Sequence, residues 1–266
     1  MKKFRGLLLV SDLDGTLLND RKEISQENRT AIEYFTNEGG LFTFVTGRVP
    51  QGVGPVFHQL RPTLPIGCIN GAGIFDPQTE EYLWQLPLPQ DAAQLVRDAE
   101  ERFPEVGIEL CGFRFNRYQA INGILERHFL DEGLEVGKST FENFGEPIAK
   151  VLFAEHPHRL DPIIRFLNTH PLSDRFDFIR SSAEYYEILP KGASKGDLLL
   201  RIAALLKIER GNILAVGDNE NDISMLNAAA VGYAVANAVE ATKKAANKVL
   251  KSTCNQSAIA ELIHSL

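Results

Sequence analysis

The stretch LLLVSDLDGTLL, residues 7–18, decides the fold of this chain. Its apolar run stops at Ser11, and two aspartates, Asp12 and Asp14, follow one residue apart. A short run of Leu and Val bounded by polar residues is typical of a strand buried on both faces of a sheet. The aspartates are therefore predicted to lie where that strand ends, which is the edge at which open α/β sheets place their chemistry.

Further buried strands are predicted towards both ends of the chain, at residues 41–45, 66–69, 213–216 and 231–235. Between the first two strands a helix is predicted to begin after Ser25, a suitable N-cap, and to end at Gly39-Gly40. Strands and helices joined by short connections imply right-handed crossovers and a doubly wound parallel sheet. The two outer parts of the chain therefore predict one α/β core.

The middle of the chain has a different predicted secondary structure, with alternating strands, longer helices and proline-containing loops. Helices are predicted at residues 91–102, 123–132 and 158–169, and strands at residues 107–113, 148–154 and 176–188. We predict a smaller α/β lobe, residues 81–189, inserted into a discontinuous core of residues 1–80 and 190–266.

Composition and charge exclude several classes of partner. The chain has 266 residues, a net charge of −7 and no Lys/Arg-rich block, which disfavours binding to nucleic acid or to a membrane surface. The apolar run after Gly6 is too short for a signal-peptide core. Three widely spaced cysteines, Cys68, Cys111 and Cys254, suggest neither a disulfide framework nor a zinc site. We expect a cytoplasmic protein that acts on small molecules.

Polar clusters follow predicted strands of the core or lie at the return from the middle lobe. They are residues 12–16 (DLDGT), 46–48 (TGR), 192–196 (GASKG) and 217–222 (GDNEND). If the strands are parallel, the first, second and fourth clusters share one edge of the sheet. Crowded carboxylates repel unless a cation lies among them. Oxygen donors without Cys or His nearby favour magnesium over zinc or copper.

These clusters predict phosphoryl transfer. A magnesium ion attracts phosphate oxygens, and Thr46, Lys195, Asn221 and the amide of Gly47 can complete the binding site for a dianion. One aspartate can attack phosphorus and form an acyl phosphate. The second can protonate the leaving alcohol oxygen and then accept a proton from the hydrolytic water.

With these four clusters in this order, the chain resembles the haloacid dehalogenase (HAD) superfamily of phosphohydrolases. It is most similar to the Cof-type branch of that superfamily (subclass IIB, with a C2B-type cap). The resemblance covers essentially the whole length and implies a Rossmann-like core with an inserted cap that acts as a mobile lid. The four motifs of that superfamily are matched in order by Asp12–Leu18, Thr46-Gly47-Arg48, Lys195 and Gly217–Asp222. Asn70-Gly71-Ala72 matches the turn that leads into the cap.

The resemblance also implies a role for each motif residue. Asp12 would be the nucleophile and a magnesium ligand, and Asp14 the general acid/base, binding magnesium through its backbone carbonyl. Asp218 would bind magnesium through its side chain, while Asp222 would support the metal site from behind. The phosphoryl group would be held by Leu13 and Gly47, through their backbones, and by Thr46, Lys195 and Asn221.

Structural alternatives exist for some of these residues. Asp222 directly precedes the apolar stretch 223–230 and could be the N-cap of that helix. In the cap, Arg114, Arg117 and residues 184–187 are polar or aromatic enough to contact a substrate, although such residues in strands usually pack or face solvent.

The expected function is that of a magnesium-dependent phosphatase, acting through an aspartyl phosphate on small phosphorylated metabolites, with sugar phosphates the first choice. Two alternatives stay open: a phosphomutase of the same superfamily, and, from a different class, a phosphoacceptor signalling or binding protein. The expected partner is the phosphorylated metabolite, without nucleic acid or membrane. The chain is expected to be a monomer or a weak homo-oligomer.

Overall fold

The computed structural model describes residues 2–266, which form two compact units. The first unit comprises the chain up to Gly47, Val53–Trp84 and Ser194–Leu266. The second comprises Arg48–Gly52 and Gln85–Ala193. The second unit thus includes a short segment directly after Gly47 that was expected in the core. The assignment of these units to a catalytic core and a cap that selects substrates stays a prediction.

The chain forms short strands and helices. The strands are β1 (Leu8–Ser11), β2 (Leu41–Phe44), β3 (Ile66–Cys68), β4 (Gly73–Asp76), β5 (Glu81–Gln85), β6 (Gly107–Gly112), β7 (Asn116–Ala120), β8 (Gly137–Lys138), β9 (Ile148–Ala154), β10 (Phe176–Arg180), β11 (Tyr185–Pro190), β12 (Ile213–Gly217), β13 (Val231–Ala234) and β14 (Lys248–Val249). The helices are α1 (Gln26–Asn37), α2 (Gly54–Leu60), α3 (Ala92–Arg102), α4 (Gly123–Glu132), α5 (Pro157–Thr169), α6 (Lys195–Leu205), α7 (Ile223–Ala228), α8 (Glu240–Ala245) and α9 (Ala258–His264). Within residues 2–266, no helix combines the length and the apolar character needed to cross a lipid bilayer.

The first unit is built on a parallel sheet of five strands in the order β14-β13-β12-β1-β2. This confirms the predicted doubly wound α/β architecture. The strand predicted at 66–69 departs from it, because β3 belongs to a separate sheet with β4 and β5 and is antiparallel to β4. An isolated parallel bridge between Val45 and Gly67 links this strand to the end of β2.

Strand β1 is buried on both faces, as its sequence predicts. Leu9 packs into one apolar cluster with Phe35 of α1, while Leu8 packs into the opposite cluster with Leu198 of α6. Helix α1 begins where predicted, because the Ser25 side chain accepts a hydrogen bond from the Asn28 amide at 3.1 Å. Two packed faces therefore fix the position of β1, and with it the loop that follows.

The second unit contains a six-stranded sheet in the order β10-β11-β9-β6-β7-β8, antiparallel except between β7 and β8. Helices α3 and α5 contribute to the apolar cluster around Phe153, and α4 to a second cluster around Leu152. The prediction of one strand over residues 176–188 was wrong. The chain folds there into the β10–β11 hairpin. The Arg180 guanidinium holds its turn by donating hydrogen bonds to the carbonyls of Ser182 and Ala183.

Phe35 offers a test of the packing of the first unit. It is fully buried, its ring centroid lies 4.8 Å from that of Phe4, and a Cβ on Gly40 would come within 2.4 Å of it. We expect Phe35→Ala to lower the free energy of unfolding by about 3–5 kcal/mol, measured by urea denaturation. Glu33→Ala, at an exposed position of the same helix, should change it by less than about 0.5 kcal/mol. Equal effects of the two substitutions would contradict this packing.

Candidate active site

The predicted polar clusters of the first unit meet at the carboxyl edge of its parallel sheet. Asp12 follows β1, and its N–H donates to the carbonyl of Val216 on β12 at 2.9 Å. The N–H of Val45, which follows β2, donates to the carbonyl of Ser11 at 2.9 Å. Because β1, β2 and β12 run parallel, the residues that follow them emerge at the same edge.

The loop after β1 turns tightly and contacts Asp218. The Leu13 carbonyl accepts hydrogen bonds from the amides of Thr16, Leu17 and Leu18. Gly15 has φ +73°, and a Cβ there would lie 2.6 Å from Asp218 Oδ2. The Thr16 hydroxyl donates to Asp218 Oδ1 at 2.7 Å. Thr16 therefore orients Asp218, a role that its place in the first motif did not reveal.

Lys195 lies buried between two carboxylates. Its Nζ is 2.6 Å from Asp12 Oδ1 and 2.5 Å from Asp222 Oδ1. It is the first residue of α6, whose N-cap Ser194 accepts from the Asp197 amide. The next residue has to be glycine, because a Cβ on Gly196 would lie 2.5 Å from a backbone oxygen of α7. This close approach of α6 to α7 brings the lysine to the aspartates.

Asp222 holds the fourth cluster together. Its Oδ2 accepts from the amides of Asp218 at 2.8 Å and Asn219 at 3.0 Å, while Oδ1 faces Lys195. Asp222 is the N-cap residue of α7, as the structural alternative held, but its side chain makes no capping hydrogen bond to that helix. Gly217 leaves it room, since a Cβ there would lie 2.5 Å from the Asp222 side chain. Both carboxylate oxygens of Asp222 are therefore committed to protein donors.

The cluster contains more negative charge from its carboxylates than the one ammonium of Lys195 can balance. Burial raises the pKa of Asp12 well above its usual value, and Asp222 raises it further. Burial and then Asp222 raise the pKa of Asp218 to about 6. Burial alone would lower the pKa of Lys195, but Asp12 and Asp222 outweigh it and raise that pKa. One ammonium thus faces three carboxylates, an imbalance that a bound cation would relieve.

The donor set fits a hard divalent cation. Carboxylate oxygens of Asp12, Asp218 and Asp222 lie within 4.8 Å of one another. Because the two oxygens of Asp222 already face Lys195 and two backbone amides, Asp12 and Asp218 are the side chains suited to direct metal contact. An all-oxygen site of this kind suits magnesium.

The Asp14 side chain is partly exposed and forms an ion pair. Its Oδ1 is 2.7 Å from Lys22 Nζ, and both side chains are more than one-third exposed. The structure therefore brings Asp12, Lys195, Asp218 and Asp222 into one hydrogen-bonded group and pairs Asp14 with a lysine of its own loop.

Thr46, Gly47 and Asn221 meet around a residue to which the motifs gave no role, Asn70. Thr46 is buried, its N–H donates to the Gly67 carbonyl, and its own carbonyl accepts from the Asn70 amide. A Cβ on Gly47 would lie 2.9 Å from Asn70 Nδ2. Asn221 Nδ2 donates to Asn70 Oδ1 at 3.1 Å. The only sequence signal for Asn70 was its place in the Asn-Gly-Ala turn.

The cap residues considered for substrate contact have partners within the second unit. Arg114 Nε donates to Glu146 Oε2 at 2.8 Å, and the Arg117 guanidinium lies over the ring of Phe115. In the run 184–187, Glu184 pairs with Arg127, Tyr185 packs against His128, Tyr186 hydrogen-bonds Asn168 and Glu187 pairs with Lys150. Each of these side chains thus has a contact within that unit, and a role in substrate binding stays a prediction.

The fold is a doubly wound α/β core, and the cluster of carboxylates around a lysine at the edge of its sheet suits phosphoryl transfer. Residues 9–263 match the sequence model of the haloacid dehalogenase-like hydrolases. The chain belongs to this family, which confirms the resemblance seen in its motifs, and it is an enzyme of the phosphatase class.

Similarity to individual proteins extends over nearly the whole chain. A Bacillus subtilis (strain 168) protein, "Putative phosphatase YxeH", is 30% identical over 97% of both chains. From the same organism, "5-amino-6-(5-phospho-D-ribitylamino)uracil phosphatase YitU" is 30% identical over 91% of this chain and 90% of its own length. The crystal structure of a haloacid dehalogenase-like hydrolase from Bacteroides thetaiotaomicron superposes with a TM-score of 0.86 at 26% identity, covering 99% of each chain.

The raised pKa of Asp218 leads to a pH test on metal-free protein. Because the pKa of Asp218 in the folded protein, about 6, lies above the usual value of 3.8, folding favours the protonated carboxyl, and stability falls as pH rises between these two values. Asp218→Asn removes the ionising group. We expect it to raise the free energy of unfolding in chelator by about 3 kcal/mol at pH 7.5 and to have little effect near pH 4.

Urea denaturation at the two pH values measures this difference. Asp174→Asn, at an exposed position, serves as the matched control and should change stability by less than about 0.5 kcal/mol at either pH. If Asp218→Asn raises the free energy of unfolding by the same amount at both pH values, ionisation of Asp218 is not the cause of the increase.

Proposed function

We propose that this enzyme is a magnesium-dependent phosphatase that hydrolyses small phosphorylated metabolites, with sugar phosphates as the first class, through an aspartyl phosphate on Asp12. One observation carries the proposal. Buried Lys195 bridges Asp12 and Asp222 beside Asp218, at the carboxyl edge of the sheet. Carboxylates concentrated around one ammonium, with raised pKa values, suit a site that works with a cation and a phosphate dianion.

Asp12 is the proposed nucleophile. Its carboxylate oxygen attacks phosphorus, the bond from phosphorus to the leaving oxygen breaks, and Asp14 protonates that oxygen. In the second step Asp14 accepts a proton from water, whose oxygen attacks phosphorus and releases inorganic phosphate from Asp12. For this role Asp14 has to exchange its contact with Lys22 for one with the leaving group, which its partial exposure allows.

The other motif residues are proposed to hold the phosphoryl oxygens. Lys195 supplies positive charge next to Asp12, and its contact with Asp222 keeps the ammonium in place. Thr46 and Asn221 would donate from their side chains, and the backbone of Leu13 and Gly47 would complete the binding site. All of these residues lie in the first unit.

Magnesium would be held by the side chains of Asp12 and Asp218 and by the backbone carbonyl of Asp14, with Asp222 behind them. When bound, it supplies Lewis-acid stabilisation of the negative charge on the phosphoryl oxygens. Thr16 and Asp222 contribute by fixing the loop that carries Asp218. The Thr16 hydroxyl donates to the Asp218 side chain, and the Asp222 carboxylate accepts from the Asp218 amide.

Sugar phosphates are favoured on two grounds. The net charge of −7 suits small substrates over nucleic acid, and the relative YitU is named for a substrate that carries a phosphorylated ribityl group.

The family match over residues 9–263 favours hydrolysis over a phosphoacceptor signalling role. We also propose a cytoplasmic location, supported by three buried cysteines that form no disulfide within residues 2–266, and a monomer or weak homo-oligomer as the working state.

Two substitutions test the roles of the aspartates with an aryl phosphate as substrate. Asp12→Asn removes the nucleophile and should reduce phosphate release to background. Asp14→Asn should lower kcat by about 10²–10⁴-fold and let phosphoenzyme accumulate, because the hydrolytic water loses its base. Asp20→Asn, a nearby exposed position, is the matched control and should keep wild-type rates. An active Asp12→Asn variant would refute the mechanism.

Metal dependence is tested by chelation. We expect EDTA to abolish phosphate release and added Mg²⁺ to restore it, because the carboxylates of Asp12 and Asp218 need a cation between them. The same assay should be run with a panel of sugar phosphates, with free phosphate and sugar products measured together. Wild-type rates in chelator would contradict the proposal, and an isomerised sugar phosphate without released phosphate would indicate a phosphomutase.

A further inference from the structure

Asn70 lies in a strained turn of the first unit. Strand β3 ends at Cys68, and the next residues, Ile69, Asn70 and Gly71, have φ values of 57°, 49° and 127°. Positive φ is unfavourable for a β-branched residue such as Ile69, which is also completely buried. Strain of this kind persists only where the surrounding structure holds it, and it is concentrated at functional sites.

The turn places the Asn70 side chain among three residues of the proposed phosphoryl site. Asn70 is 1% exposed, and its N–H donates to the Thr46 carbonyl at 3.1 Å. Its carboxamide lies so close to the Gly47 backbone that a Cβ on Gly47 would be 2.9 Å from Nδ2. Its Oδ1 accepts from Asn221 Nδ2 at 3.1 Å. Asn70 thus joins the second motif to the fourth.

The hydrogen bond from Asn221 to Asn70 limits how Asn221 can turn. Asn221 is 7% exposed, and within residues 2–266 its buried Oδ1 has no hydrogen-bond partner. A carboxamide nitrogen carries two N–H groups in a fixed plane. Because Asn70 accepts one of them, the direction of the other is set. A donor that is already oriented binds an anion without a reorganisation cost.

We propose that Asn70 is a positioning residue, which orients the Asn221 carboxamide for donation to the phosphoryl group of the substrate. This inference rests on the proposed phosphatase function and extends it to a residue outside the four motifs. Asn70 acts through Asn221. The strained backbone is retained because it carries the Asn70 carboxamide to the place between Gly47 and Asn221.

A double-mutant cycle between Asn70 and Asn221 tests this. Asn70→Gly removes the carboxamide, while glycine adopts the left-handed backbone without strain. With an aryl phosphate we expect Asn70→Gly and Asn221→Ala each to lower kcat/KM about tenfold and to raise the inhibition constant of inorganic phosphate by a similar factor. The double variant should be no worse than Asn221→Ala, because Asn70 acts through Asn221.

Asn28→Ala is the matched control. Asn28 is a buried asparagine of the same unit that accepts a hydrogen bond from the Ala260 amide, so its loss should lower stability and leave the phosphate inhibition constant unchanged. Asn70→Ser, whose side chain is too short to reach Asn221, is a second variant with the same expected kinetics. Independent, multiplying effects in the double variant would overturn the proposal, as would a wild-type inhibition constant in Asn70→Gly. Failure of the proposed function is separately visible, because the wild type would then release no phosphate.

Discussion

The contact on which the rest of the site depends is the buried ammonium of Lys195 between Asp12 and Asp222. A lysine and two carboxylates removed from water are costly, and only close pairing with further hydrogen bonds makes such a group tolerable. Here the distances are 2.6 and 2.5 Å, and Asp222 also accepts two backbone amides. The ion pair therefore fixes the end of β1, the start of α6 and the loop after β12 relative to one another.

Close backbone approach is what permits this arrangement. At Gly15, Gly196 and Gly217 a Cβ would come within about 2.6 Å of Asp218, of the α7 backbone and of Asp222, respectively. Each glycine therefore allows a polar group to lie where any side chain would exclude it. Strand β1, from which the first of these loops leaves, is packed on both faces.

In this cluster, groups that are proposed to serve the reaction lower the stability of the metal-free protein. Burial and neighbouring carboxylates raise the pKa values of Asp12 and Asp218, so ionisation of these groups opposes folding when no cation is present. The strained turn at Ile69 and Asn70 is a second local cost in the same unit. The first cost falls on residues proposed to bind metal, and the second on the turn that carries the proposed positioning residue Asn70.

The sequence by itself determined the parallel α/β core and the chemical character of the four clusters, because apolar runs and the residues after them are local properties. It did not separate the β10–β11 hairpin from one long strand, since the turn is held by Arg180. It also did not reveal the pairings of Thr16 with Asp218 and of Asn70 with Asn221, because the partners lie far apart along the chain. Only the tertiary structure decided these pairings, because close contacts between distant segments depend on how sheets and helices pack.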